Sequence, residues 1–233
     1  MSDSASIPGR HCLNWVSAVF CTVLILSNLL AIKPLSLPGL SFIQMDAGNL
    51  LFPISYIFGD VLVEVYGYAQ ARRMIWMGFC LNLLAAGVFS LAALLPPAPG
   101  WEKWQEPYAF FFLQTPRVVA ASALAFWGGS FLNAWIMAKM KIWTNGKHLW
   151  MRTIGSTIGG EGMDSLLFTV VAFSGLWSWS LIGRIILCNF LLKVVYEVVA
   201  TPLTYYVIRR LKHAEQSDPY DRQTAFSPFR WRE

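Results

Sequence analysis

Charge is scarce in this chain. Of 233 residues only 13% are Asp, Glu, Lys or Arg, 56% are hydrophobic, and mean hydropathy is +0.49. Soluble domains carry about 25% charged residues, so an ordinary water-soluble fold is excluded and an integral membrane protein is indicated. Histidine is almost absent: His11, His148 and His213 all fall at the edges of apolar runs, and no His-x-x-Glu or Cys-x-x-Cys pattern occurs. That argues against a metal centre. The four cysteines (Cys12, Cys21, Cys80 and Cys188) have no close pairing and read as small apolar residues. No Gly-rich phosphate loop is present, so ATP-driven work would need a separate subunit. No cleavable signal pattern precedes the first long apolar run. No cofactor is expected.

What the sequence does have is six apolar stretches, each near the 20 residues needed to cross a bilayer, at about 12–32, 49–68, 74–95, 118–140, 153–177 and 181–208. They predict an all-α integral membrane protein with one six-helix domain over 1–212 and a polar, flexible tail over 213–233. The one long connection, 96–117, is rich in Pro and aromatics and is expected at a membrane interface, with a lid over a site as the alternative. Thirteen of the 18 Lys and Arg fall on one side of these spans, including Arg72, Lys141, Arg152 and Lys212. That bias predicts both termini in the cytoplasm. It also explains the pI of about 9.1 without nucleic acid, which is not expected as a partner.

Against this background six charged residues stand inside the spans: Asp60, Glu64, Glu161, Asp164, Lys193 and Glu197. Each costs roughly 2.5–3.5 kcal/mol at a helix centre, so together they predict a polar cavity inside the bundle. Asp60 and Glu64 share one helix face, Glu161 and Asp164 another, and Lys193 and Glu197 a third. Asp60, Asp164, Lys193 and Glu197 fall near mid-depth, with Glu64 nearer the cytoplasm. Lys193 and Glu197 read either as a self-neutralising intrahelical pair or as part of a site. The excess of acids favours a cationic or hydrogen-bond-donating ligand, or a coupling proton. Asn28, Asn82, Asn133 and Asn189 either add polar contacts or hydrogen bond between helices.

Phe52-Pro53, the glycines at 155, 159, 160 and 162, and Pro202 suggest interrupted helices of the kind found at transporter sites, or close helix packing. The acidic pairs lie on the second helix of each half, which allows a 3+3 inverted repeat. An intramembrane enzyme is the rival class, but Gly160-Glu161-Gly162-Met163-Asp164 lacks the spacing and first acid of aspartyl intramembrane proteases.

Phe52-Pro53-Ile54, Gly59-Asp60, Val65-Tyr66-Gly67-Tyr68, Ala71-Arg72-Arg73, Gly155-Ser156-Thr157-Ile158-Gly159, Asp164, Phe168, Lys193, Glu197 and Pro202-Leu203-Thr204-Tyr205 occur in that order. Over about residues 12–212 the chain resembles the vitamin uptake transporters, also called queuosine precursor transporters. The resemblance implies a six-helix inner-membrane protein, similar in fold to the S-components of energy-coupling factor transporters. It also implies uptake of 7-cyano-7-deazaguanine and 7-aminomethyl-7-deazaguanine. Asp60, Asp164 and Lys193 match the family's buried polar positions best. Glu64, Glu161 and Glu197 match less uniformly and are assigned to tuning, pairing or proton handling, with Glu161 and Glu197 also candidates for substrate contact. Such a flat base offers paired donors and a carbonyl. A carboxylate suits the donors, Lys193, Asn133 or Asn189 the carbonyl, and Phe52, Tyr56, Phe126 or Trp127 the ring face. The expected partners are this substrate and membrane lipid, with proton coupling and homo-oligomer formation left open. The alternative is a carrier or substrate-binding subunit for another small heterocycle or vitamin.

Overall fold

A computed structural model of the chain describes residues 12–30, 33–37, 40–113, 116–175, 178–222 and 224–229. The elements in chain order are α1 (Leu13–Leu30), β1 (Pro34–Leu37), β2 (Leu40–Asp46), a short 3-10 turn (Ala47–Leu50), α2 (Phe52–Tyr66), α3 (Tyr68–Leu94), α4 (Glu102–Phe112), α5 (Pro116–Trp143), α6 (Leu149–Phe173) and α7 (Trp179–Glu215). The architecture is helical as expected. The one sheet among the described residues is an antiparallel hairpin of β1 and β2 in the α1–α2 connection, which hydropathy did not anticipate. Among the described residues two helices, α1 and α3, are long and apolar enough to cross a membrane by length and composition. The exposed apolar residues form stripes. Leu84, Val88 and Leu91 line one face of α3, and Leu187, Leu191, Val195 and Val199 one face of α7. Continuous apolar stripes of this kind suit a lipid surface, not water.

Several boundaries differ from the hydropathy reading for local reasons. Only Gly67 separates α2 from α3. Its φ of +83° is a backbone conformation that favours glycine, so the chain turns there in one residue. Pro53 starts α2, where its missing N–H costs nothing, and does not break the helix. The connection at 96–117 contains α4, with Trp104 and Phe110 exposed, as on an interfacial helix. Gln105 Nε2 donates to the Ala93 carbonyl at 2.8 Å and ties α4 to the end of α3. At about 1.5 Å per residue the 37 residues of α7 reach about 55 Å, well beyond an apolar core of about 30 Å.

The glycines of α6 pack and do not interrupt. The helix runs unbroken from Leu149 to Phe173, and α7 runs unbroken past Pro202. A Cβ at Gly160 would stand 2.6 Å from Asn133 Cβ and 2.9 Å from the Gly129 carbonyl oxygen of α5. A Cβ at Gly129 would stand 2.8 Å from Asp164 Cβ. The two backbones therefore meet at Gly129 and Gly160, as small residues allow in membrane helix pairs. Asn28 and Asn82, considered above as polar contacts, hydrogen bond each other at 2.6 Å and join α1 to α3.

One end of the bundle is closed by charge. Glu64 is completely buried, and its Oε1 accepts from Arg152 at 2.8 Å and Lys212 at 2.5 Å, with Lys141 at 3.4 Å. Asp218 bridges Lys141 and Lys212 at 2.7 Å each. Burial raises the Asp218 carboxyl, but these two ammonium groups outweigh it and leave it below its ordinary value. Residues 216–222 and 224–229, which belong to the tail expected to be flexible, pack back on the same end. Asp221 Oδ2 accepts the Tyr68 backbone N–H at 3.0 Å, satisfying an orphan donor at the start of α3. Arg72 donates to the carbonyls of Ala225 (2.7 Å) and Ser227 (3.0 Å), and Trp76 Nε1 to that of Pro228 (2.9 Å). Composition suggested disorder. The segment is held because these orphan donors need acceptors and because Phe226 and Phe229 pack on Tyr68, Trp76 and Trp127.

Two predictions follow from this packing. Gly160→Ala forces the α5–α6 contact apart and destabilises by about 1–3 kcal/mol, whereas Gly162→Ala is tolerated because its nearest neighbour, Phe190, would be 3.7 Å away. Thermal melting of both variants in detergent checks the contrast, and equal melting temperatures would contradict the close approach. Glu64→Gln leaves buried Arg152 without the carboxylate it bonds, while Lys141 keeps Asp218, and lowers stability by about 3–5 kcal/mol, read from thermal melting. Asp218→Asn, at a half-exposed side chain, costs less than about 1 kcal/mol.

Candidate functional site

A cavity of about 120 Å³ lies inside the bundle, roughly tenfold the space that one water needs. Every helix except α4 contributes to its wall. The apolar part comes from Phe20 and Leu24 of α1, Leu62 and Val63 of α2, Ala71 and Ile75 of α3, and Phe126 of α5. The polar part comes from Ser55 of α2, Ser130 and Asn133 of α5, Glu161 and Asp164 of α6, and Lys193 of α7.

The charged wall is organised by Lys193. Its Nζ donates to Asp164 Oδ2 at 2.5 Å and lies 2.7 Å from Glu161 Oε2. Both acids come from α6, three residues apart on one face, so one ammonium of α7 reaches both. The intrahelical alternative for Lys193 and Glu197 is thereby displaced: the lysine pairs across helices, and neither Glu197 oxygen has a hydrogen-bond partner among the described residues. Glu161 and Asp164 keep 18% and 25% of their side-chain surface accessible, which leaves carboxylate oxygens presented to the cavity. Asn133 sits one helical turn from Gly129, where the tight α5–α6 crossing sets its Cβ against Gly160.

Asp60 lies one residue beyond the lining residue Gly59. It is buried to 1% exposure and bonded to the side chain of Asn133. It reaches the cavity through that asparagine and does not line it. Glu197, also 1% exposed, faces Thr157 without a hydrogen bond of ordinary geometry and likewise stands behind the wall. Glu64 belongs to the cationic cluster at the end of the bundle, so it forms no joint acidic site with Asp60. Asn189 does not line the cavity. Phe52 and Tyr56 start α2, but their side chains lie outside the described residues. Of the aromatics expected at the ring face, Phe126 lines the cavity, whereas Trp127 stacks within a cluster of Trp76, Phe131 and Phe229. Ser55 and Ser130 went unnoticed in the sequence because a serine in an apolar helix carries no periodic signal. Among the described residues no three His, Cys, Asp or Glu side chains converge as metal ligands.

The formal charge around the cavity is therefore four acids (Asp60, Glu161, Asp164, Glu197) against Lys193. The arrangement can accept paired N–H donors or a cation, hold a flat ring against Phe126 and offer a donor from Lys193 or Asn133.

Comparison with known proteins points the same way. Residues 46–207 match the family model described as "Putative vitamin uptake transporter". The chain is 29% identical over 204 residues to a Bacillus subtilis protein named "Probable queuosine precursor transporter", covering 87% of this chain and 86% of that one. It is 27% identical over 161 residues to the Escherichia coli "Queuosine precursor transporter", covering 69% and 68%. No solved structure matches. With the match spanning α2 to most of α7, and all of the cavity lining but Phe20 and Leu24, the chain belongs to the vitamin uptake transporter family of membrane proteins.

Proposed function

We propose that this protein imports queuosine precursors, 7-cyano-7-deazaguanine and 7-aminomethyl-7-deazaguanine, across the cytoplasmic membrane. The observation that carries the reading is the pair of accessible carboxylates, Glu161 and Asp164, which line one cavity with Asn133, Lys193 and Phe126. The base's paired N–H donors meet the Asp164 carboxylate, its carbonyl meets Lys193 or Asn133, and its ring lies against Phe126. The aminomethyl form is a cation and also suits the acidic excess. The names of the two relatives support the same substrate class.

In this reading α1, α2, α3, α5, α6 and α7 span the membrane and α4 lies at its surface. The start of α1, the ends of α2 and α7 and the docked segment meet at one end, where Glu215 accepts from Cys12 N and Tyr66 OH. That end holds Lys141, Arg152 and Lys212 and faces the cytoplasm by the distribution of basic residues. Transport proceeds by alternating access, with the cavity opening to each side in turn.

The test uses cells that lack their own precursor synthesis and transporter, fed each base separately, with tRNA queuosine as the readout. The wild-type chain restores the modification. Asp164→Asn removes a charge-assisted hydrogen bond of about 1.5–3 kcal/mol and lowers uptake about tenfold or more at limiting substrate, with normal amounts of protein in the membrane. No restoration by the wild type would overturn the function, and full restoration by Asp164→Asn would overturn the site. Recovery of the unchanged base inside vesicles separates transport from chemical conversion.

A further inference from the structure

We propose that Asp60 and Glu197 form a proton site separate from the substrate cavity, whose occupancy reaches the cavity through Asn133 and Glu161. The proposal rests on the transport reading above. Its basis is an imbalance in how the buried acids are neutralised. Asp164 and Glu161 share Lys193, and Glu64 has Arg152, Lys212 and Lys141. Among the described residues neither Asp60 nor Glu197 forms an ion pair of its own. Both are 1% exposed, and Asp60 Oδ2 and both Glu197 oxygens lack a hydrogen-bond partner among the described residues.

The groups around them are accounted for. Asp60 on α2 faces Asn133 of α5, Glu197 of α7, Glu64 one turn along its own helix, and Arg152 of α6. Glu197 faces Thr157 and Glu161 of α6. The charge of Arg152 reaches Asp60, but its two terminal nitrogens bond Glu64 (2.8 Å), the Lys147 carbonyl (2.6 Å) and Thr144 (3.3 Å), and its Nε bonds nothing among the described residues, Asp60 included. Lys193, one turn from Glu197, is committed to α6. An isolated ionised carboxylate in such surroundings is prohibitively costly, and two buried carboxylates in each other's field cannot readily both be charged. A proton on one of them removes the excess without needing space. Among the described residues no third His, Cys, Asp or Glu joins them as a metal ligand.

The same geometry couples this site to the cavity. Asn133 bonds Asp60 on one side and lines the cavity on the other. Glu161 lies in the field of Glu197 and also holds Lys193 at the cavity wall. Protonation therefore changes the charge felt at two points of the substrate wall, while release restores the repulsion between the acids. The proton enters and leaves as such, with no other bond made or broken.

The experiment uses the full chain in proteoliposomes with 7-cyano-7-deazaguanine, an uncharged base. An inward gradient of one pH unit drives about tenfold accumulation per coupled proton in the wild type, and an entrapped pH dye reports acidification as the base enters. Glu197→Gln abolishes accumulation and acidification but still exchanges labelled for unlabelled base, at a rate that no longer varies with pH. That exchange also shows that the variant is folded. Accumulation retained by Glu197→Gln would overturn the proton site. So would exchange lost together with accumulation, or wild-type accumulation driven by a sodium gradient in place of a pH gradient. A wild type that neither exchanges nor accumulates the base would instead overturn the proposed substrate.

Discussion

The bridge from Lys193 of α7 to Glu161 and Asp164 of α6 is the interaction on which the cavity depends. Two acids on one helix face repel each other in a medium of low dielectric, and a single ammonium at 2.7 Å or less from both resolves that repulsion. Such a bridge contributes less to net stability than to geometry, because desolvating three charges offsets much of their attraction. Its consequence is positional. It fixes α7 against α6, while Gly129 and Gly160 hold α6 against α5. Three helices thus present Asn133, Glu161, Asp164 and Lys193 to the same 120 Å³ space.

Neutralisation is uneven along the bundle, and that unevenness divides structure from transport. At the closed end Glu64 meets three cations, Asp218 bridges two of them, and the segment after α7 supplies carbonyl acceptors to Arg72 and Trp76. Each charge there has a partner, as a structural cluster requires. Around the cavity the acids outnumber their single lysine. Buried carboxylates left without cations are what a transporter of donor-rich or cationic solutes needs, since the ligand or a proton completes the balance.

Much of this could be read from the sequence, and the limits have physical causes. Hydropathy and helical spacing located the long helices and put Glu161 with Asp164 on one face, because both depend on periodicity within one element. Partners across helices are invisible to periodicity. Lys193 looked equally able to pair with Glu197 or elsewhere, and Arg152, Lys141 and Lys212 looked like ordinary flanking residues until Glu64 was found among them. The β1–β2 hairpin was missed although Pro38-Gly39, a turn dipeptide, separates two short apolar runs in the sequence. The docked segment after α7 was missed because its polar composition says nothing of the unsatisfied donors waiting on α3. The glycines of α6 had two readings, and only the 2.6 Å clash with Asn133 decides for packing.

The central claim is that a deazaguanine base sits among Asp164, Asn133 and Lys193. A density map of the purified protein loaded with 7-aminomethyl-7-deazaguanine tests it most directly. The account predicts density for the base between α5, α6 and α7, with Asp164 at hydrogen-bond distance from its paired donors. Density at the Glu64 cluster or beside α4, with the cavity empty, would contradict it.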